Sequence, residues 1–248
     1  MDFMLTREMQ NDLREVNETF ASSLRPWWNE IAAYLPEVSK DPGFNLLPAM
    51  VVAAYKSIGL EQDLTIKMAN LFKTIFMANQ IHVLIKDDEE GQLHNQELQF
   101  TILIGDYIFG KILKLLLEAN ADRLLDMFAI MIGDINEGFI TRYKFDSSFE
   151  EGLIKTRGPL YQKAFLTGAR LADWPQKQAD IFGDIGYNLG MAMELIFFHE
   201  LISTGQKYLH QAKQAWQLIK PDLVFQPDLL EAIVGVLERG NGGVINGL

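Results

Sequence analysis

The residues of this chain best suited to chemistry are Asp87 and Asp88, followed at once by Glu89 and Glu90. They close the segment Ile81-His82-Val83-Leu84-Ile85-Lys86, the end of a long apolar helix. Clustered carboxylates are hard oxygen ligands. They suit a magnesium ion that keeps part of its water shell and shares the oxygens of a phosphate substrate. Asp87, Asp88 and Glu90 are therefore the candidate metal site, and an acidic turn lying in solvent past a helix end is the plain alternative. Glu194 interrupts a second apolar run, where an unpaired carboxylate is costly to bury. It is expected either hydrogen-bonded in a cavity or facing a partner. Lys155 is a candidate phosphate contact or a solvated lysine. The four histidines, His82, His94, His199 and His210, are scattered. His82, on an apolar helix, reads as a core or pocket histidine rather than a ligand. His199 and Glu200 are adjacent and do not share a helix face, unlike an i, i+4 metal pair.

The elements that must position these groups are helical. Apolar residues recur at helical spacing and two-residue alternation is nearly absent. The pattern predicts helices over 2–22, 26–35, 44–58, 62–86, 96–118, 121–144, 147–172, 176–203, 205–219 and 227–239. Pro, Gly and Asp collect at the breaks, at Pro36, Asp41-Pro42-Gly43, Gly59, Gly91, Trp174-Pro175 and Lys220-Pro221-Asp222. Helices 62–86 and 176–203 are apolar on nearly all sides, which places them in the middle of a bundle. Their Phe and Met runs read as core, and Trp27 and Trp28 as packing for the N-terminal segment. The expected organisation is an N-terminal helical segment, 1–40, packed on a single bundle, 41–240, with a frayed tail, 241–248.

Composition narrows the function classes. A net charge of −11 argues against a nucleic-acid partner, which needs a basic surface, and against docking on anionic lipid. The chain has no cysteine, so disulfide frameworks and thiolate metal sites are excluded. The N-terminus lacks the pattern of a signal peptide, and the apolar runs are too short to span a bilayer. A cytoplasmic, soluble protein without a transmembrane segment is the expectation.

Several motifs, taken in order, resemble those of the trans-polyprenyl diphosphate synthases. The stretch around Asp87-Asp88 resembles the first aspartate-rich motif. Gly105-Asp106-Tyr107, Asn136-Glu137-Gly138 and Lys155-Thr156 resemble the Gly-Asp-Tyr, Glu-Gly and Lys-Thr steps on later helices. Gly183 and Gly186-Tyr187-Asn188-Leu189-Gly190 resemble the glycine-punctuated helix that carries the second aspartate-rich motif, and 208–239 resembles the closing helices. The likeness covers roughly residues 40–240. It implies an all-α isoprenoid-synthase bundle. It further implies magnesium-assisted ionisation of an allylic diphosphate, with Lys155 and Thr156 contacting substrate and with His82, Glu194, Phe197 and Phe198 in the cavity.

The chain departs from that pattern where the chemistry is most demanding. Gly91 stands where the first motif wants its third aspartate, leaving Glu90 as a partial substitute, and no arginine pair follows. Gly43-Phe44-Asn45-Leu46-Leu47-Pro48 aligns with a Gly-Lys-Arg-x-Arg-Pro segment, so Phe44, Asn45 and Leu47 replace the basic clamp for isopentenyl diphosphate. Phe197 and Phe198 replace the paired aspartates of the second motif, and aromatic rings cannot ligate magnesium. Losing one partner of a charged binding pair commonly costs about 2–5 kcal/mol, and here a whole clamp and one metal cluster are gone. The expected function is a non-catalytic or regulatory subunit of a heteromeric synthase, similar to the small component of heterodimeric heptaprenyl diphosphate synthases. Its partner is then a catalytic polyprenyl diphosphate synthase subunit; a homodimer is the other assembly. Two alternatives stand beside this: a prenyltransferase using only the first motif with magnesium and an allylic diphosphate, and a prenyl-lipid binding protein.

Overall fold

The computed structural model describes residues 7–84, 96–144, 148–221 and 223–239. These form helices α1 (Arg7–Ser23), α2 (Trp28–Ala32), α3 (Leu35–Val38), α4 (Gly43–Ser57), α5 (Gln62–Leu84) and α6 (Gln96–Glu118). A 3-10 turn (Asp122–Leu124) leads to α7 (Leu125–Lys144), α8 (Phe149–Thr156), α9 (Gly158–Leu171) and α10 (Gln176–Met193). A π turn (Glu194–Phe198), α11 (Ile202–Trp216) and α12 (Asp228–Arg239) complete the described chain, with no strand among the described residues.

Of the two runs expected at the middle of the bundle, 62–86 falls there as α5, with α4 beside it. In α4 nearly every side chain is buried, and in α5 every one from Thr65 to Asn79 except Lys67, including Tyr55, Phe72 and Phe76. Helices α9 and α10 pack most closely of all, and the sequence says why. A Cβ on Gly186 or Gly190 would overlap the rings of Phe165 and Tyr161. Glycine at these two turns lets the backbones approach until the aromatic side chains of α9 lie directly on α10. Phe165, Phe182, Trp174 and Phe225 extend this contact as a chain of tilted and edge-on rings.

Polar groups fix the N-terminal helix. Asp12, 4% exposed, receives Lys56 at 2.6 Å and the Gln62 amide at 2.7 Å, so α1 is tied to α4 and α5 by charge as well as by Val16 and Phe20. Lys73 is buried and donates to Asn17 Oδ1 (2.8 Å) and Asn45 Oδ1 (3.2 Å), with its ammonium 3.9 Å from the centre of the Phe44 ring. Phe44 and Asn45, two of the residues replacing the basic clamp, thus cage a lysine within the bundle.

Three expected helices divide. The run 26–35 ends at Ala32 and restarts at Leu35, with Pro36 in the first turn of α3. The run 147–172 is two helices: Ser148 caps α8 through a reciprocal bond pair with Glu151, and Gly158-Pro159 opens α9. The run 176–203 leaves α-helical geometry at Glu194 and stops before Glu200, whose φ is 55°. Residues 176–198 are long and apolar enough to cross a membrane by length and composition, yet 67% of the most apolar 18-residue window within them is buried in the bundle. The expected tail, 241–248, and the start of the N-terminal segment lie outside the described residues.

Candidate functional site

A cavity of about 590 Å³ opens at one end of the bundle, within the usual range for small-molecule sites. The entry to α4 supplies Lys40, Asp41 and Pro42, and the end of α5 supplies Gln80 and Val83. Phe139 and Arg142 come from the last turns of α7. Phe149, Leu153 and Thr156 come from α8, followed by Arg157 at the α8–α9 joint. Glu194, Phe197, Phe198 and His199 come from the π turn and the residue after it.

Two polar clusters meet on this wall. In the first, Asp41 Oδ2 accepts from Arg157 Nη2 in a tight ion pair and from Gln80 Nε2 at 3.0 Å, and Asp41 Oδ1 accepts from the Gly43 N–H at 2.9 Å. The Arg157 guanidinium also lies 4.5 Å from the centre of the Phe76 ring, which holds it flat against the core. In the second, the Tyr161 hydroxyl donates to Glu194 Oε1 at 2.7 Å, and His199 Nε2 stands 3.9 Å from Glu194 Oε2. Burial pushes the Glu194 carboxyl above the ordinary carboxylate range, while Arg157 and the Tyr161 hydroxyl pull it partly back. Burial, then the charge of Arg157, lowers the His199 imidazole below its ordinary value. Burial and the adjacent Glu194 drive the Tyr161 phenol well up. The hydrogen bond from the Tyr161 hydroxyl to the Glu194 carboxyl holds this corner together.

The π turn makes that corner. In a π turn the chain advances by five residues per hydrogen-bonded loop, so Glu194 and His199, five apart, face each other. The Leu201 N–H bonds back to the Leu195 carbonyl at 2.8 Å and closes the turn. Phe197 and Phe198 are carried into the cavity wall, and His199 stacks edge-on to Phe149 with ring centres 4.5 Å apart.

Of the residues singled out in the sequence, Thr156, Glu194, Phe197 and Phe198 line this cavity. The Thr156 hydroxyl donates to the Gly152 carbonyl at 2.7 Å, leaving its lone pairs for an incoming donor. Lys155 is exposed and outside the lining; its Cβ and backbone pack on Gly138 of α7. His82 lies on another face of α5 from Gln80 and Val83. Its ring packs on Phe109 of α6 at 5.4 Å, against Gly105, where a Cβ would strike the imidazole. The Gly105 of the Gly-Asp-Tyr motif makes room for that ring, and Asp106 beside it is exposed. Asp87, Asp88 and Glu90 lie outside the described residues, as does His94. Sequence reading missed Asp41, Gln80, Arg157 and Tyr161, and it set His199 aside by testing α-helical spacing alone. The signal for Arg157 was its place directly after Lys155-Thr156.

The described wall does not fit a magnesium cluster. Among the described residues no three His, Asp or Glu side chains converge as a metal site. Asp41 is committed to Arg157, Glu194 is buried against Tyr161, and Phe197 and Phe198 offer no ligand atom.

This architecture is the all-α isoprenoid-synthase fold. The chain superposes on a polyprenyl synthase from Caulobacter crescentus CB15, solved with calcium and isoprenyl diphosphate, with a TM-score of 0.73 over 96% of this chain and 97% of that one, at 17% identity. A decaprenyl diphosphate synthase from Rhodobacter capsulatus gives 0.71 over 94% and 98%, at 15% identity. A deletion mutant of the heterotetrameric geranyl pyrophosphate synthase of mint gives 0.67 over 93% and 99%, also at 15%. In sequence, the octaprenyl diphosphate synthase of Haemophilus influenzae is 21% identical over 215 residues, 79% of this chain; the chain spans 64% of that relative's length. No protein-family model matches the chain. Fold and sequence together support homology to the trans-polyprenyl diphosphate synthases.

Proposed function

We propose that this chain is a polyprenyl-diphosphate-synthase-like protein of isoprenoid biosynthesis, acting in the cytoplasm as a non-catalytic or regulatory subunit of a heteromeric synthase. The observation that carries this reading is the cavity wall at the π turn. Where the resemblance calls for paired aspartates, Phe197 and Phe198 stand, and the one carboxylate nearby, Glu194, is turned inward to Tyr161. A multiply charged leaving group needs cations bridging it to carboxylates on two facing helices. Among the described residues of this wall the carboxylates are Asp41 and Glu194, and both are engaged, by Arg157 and by Tyr161.

The outward faces of α6 and α7 support the need for a partner. Leu103, Gly110, Leu113 and Leu117 fall on one stripe of α6, and Ile130, Gly133 and Ile140 on one stripe of α7. The five aliphatic side chains are more than half exposed, and a Cβ on either glycine would meet nothing within 4 Å. A mid-helix glycine costs about 1 kcal/mol relative to alanine. With no close neighbour among the described residues, these glycines suit the close approach of another subunit's helices. A catalytic polyprenyl diphosphate synthase subunit fits this best, and a homodimer is the other assembly.

One observation favours the enzyme reading. Arg142, Thr156 and Arg157 line the cavity as candidate contacts for a diphosphate, and Asp87, Asp88 and Glu90, outside the described residues, would be the carboxylates for a single magnesium cluster. Such an enzyme would hold an allylic diphosphate and offer it to a nucleophile other than isopentenyl diphosphate. The lipid-binding reading has less support, because Phe72, Phe76 and Phe128 are packed in the core and the cavity lining is polar as well as apolar.

Prenyl transfer by the purified chain with magnesium, isopentenyl diphosphate and a series of allylic diphosphates tests the proposal. No product from a folded chain, with stimulation of an intact synthase in a one-to-one complex, is the expected result. Product above background, abolished by Asp87→Ala/Asp88→Ala, would overturn it in favour of the enzyme.

A further inference from the structure

A second cavity, of about 390 Å³, lies between α1, α5 and α6, away from the site above. Its lining includes Arg25 from the turn after α1, Lys67 and Asn70 from α5, and Lys111 and Lys114 from α6. In a chain carrying 33 acidic and 22 basic residues, four cations around one small cavity are a marked concentration. Glu118 is the acidic member of the lining, and it is engaged by Lys114 at 3.5 Å. Lys67 reaches Asp63 at 2.6 Å along the exposed side of α5, and Lys111 donates to the Arg25 carbonyl at 3.1 Å. The hydroxyls of Ser22 and Ser23 donate to carbonyls at the end of α1, at 2.9 Å each, which blunts the negative pole of that helix.

The independent sign of a ligand is Asn70. It is fully buried on the cavity wall, and its Nδ2 has no hydrogen-bond partner among the described residues. Its Oδ1 faces the Thr74 hydroxyl at 3.5 Å on the inner side. An amide donor buried without an acceptor costs about 1–3 kcal/mol. A small rotation of the amide toward the cavity would let an acceptor oxygen there remove that cost, and the lysines and arginine around it call for an acceptor with charge.

We propose that the α1–α5–α6 cavity is a binding site for an anion of the phosphate or diphosphate class, held by Arg25, Lys67, Lys111 and Lys114 and by the Asn70 amide. It is separate from the cavity at the π turn: Asn70 and Gln80 are ten residues apart on α5, about 15 Å along the helix axis. A ligand there bridges three helices, so its binding stiffens the packing of α1, α5 and α6.

The test is calorimetric titration of the full chain with inorganic diphosphate, without metal, in an Arg157→Met background that weakens the first cavity. One equivalent is expected to bind, more weakly as salt is raised. Lys67→Gln/Lys111→Gln, both changes at partly exposed positions, is expected to lower the affinity tenfold or more. Asn70→Leu is expected to lose binding while melting at or above the parent temperature, because it removes the unpaired amide; this separates lost binding from lost folding. Phosphatidic-acid vesicles serve as the arm for a lipid-borne phosphate, and the acidic chain is expected not to sediment with them. Affinities unchanged within twofold in both variants, or no titration of the parent at millimolar diphosphate, would overturn the proposal.

Discussion

Replacing Asp41 by asparagine asks whether the ion pair at the first cavity keeps Arg157 from a ligand. The Asp41 and Arg157 side chains are 26% and 15% exposed, so the pair is neither dry nor fully screened. Exposed pairs contribute about 0–1 kcal/mol, and removing one partner of a buried pair costs about 3–5 kcal/mol. Asparagine keeps the acceptor for the Gly43 N–H but turns an amide toward Arg157 and Gln80. A loss of ~2 kcal/mol is therefore expected, a fall of about 4–8 °C in melting temperature for a chain of this size. The effect on an incoming anion has the opposite sign. A carboxylate about 6 Å from a bound phosphate, at an effective dielectric of about 40 between surface and bulk water, opposes it by ~1.4 kcal/mol per ligand charge. Asp41→Asn should thus raise affinity for inorganic diphosphate at this cavity about tenfold or more. The measurement is titration in a Lys67→Gln/Lys111→Gln background, which removes the second anion site from the signal, with urea unfolding of the same proteins. A variant that loses stability without gaining affinity would refute the reasoning and leave the pair as a fastening between α4 and α9.

Glu194→Gln should make stability less sensitive to pH. Burial raises the folded carboxyl above its ordinary 4.5, so the wild type's stability falls as pH rises from the unfolded value through the folded one, and the variant's should not; urea unfolding between pH 4 and 8 checks this. Lys73 behaves in the opposite sense: burial lowers it from 10.5 to about 8, so the unfolded chain holds the extra proton between those values and wild-type stability rises with pH there. Lys73→Met should abolish that rise, read by denaturation at pH 7.5 and 10. Gly133→Ala should raise the unfolding free energy of the isolated chain by about 0.5–1 kcal/mol, while Gly133→Leu should weaken association with a catalytic subunit in sedimentation velocity. Unchanged association in Gly133→Leu would count against α7 as the partner face.

Most of the helices were legible because their apolar faces are wide and their breaks carry Pro, Gly or Asp. The run 147–172 carried the signal of its division, Gly158-Pro159 at the start of α9, but apolar residues continue at helical spacing on both sides of it. The run 176–203 hid more. A π turn has no composition of its own, and Glu194 to Phe198 reads as apolar helix whichever spacing the backbone adopts. The extra residue per turn turns Glu194 inward onto Tyr161 and sets His199 beside it. No search at i, i+4 finds that pairing.

The first cavity differs from its surroundings in how its charges are held. Asp12, Lys56 and Gln62 form a polar cluster that holds α1 to the core, and Lys73 sits in an amide and aromatic cage. Each closes on itself. At the mouth, the Asp41–Arg157 pair and the Tyr161–Glu194 bond close the wall in the same way, but Arg142 makes no ion pair among the described residues. A cavity serving only to fill space would be expected to collapse onto apolar side chains, as the interior beneath it has done with Phe72, Phe76 and Phe128. This one is kept open by charges that satisfy one another and could be exchanged for a ligand's. That combination suits a subunit retaining the shape of a diphosphate site after the metal-binding carboxylates of its second wall have given way to Phe197 and Phe198.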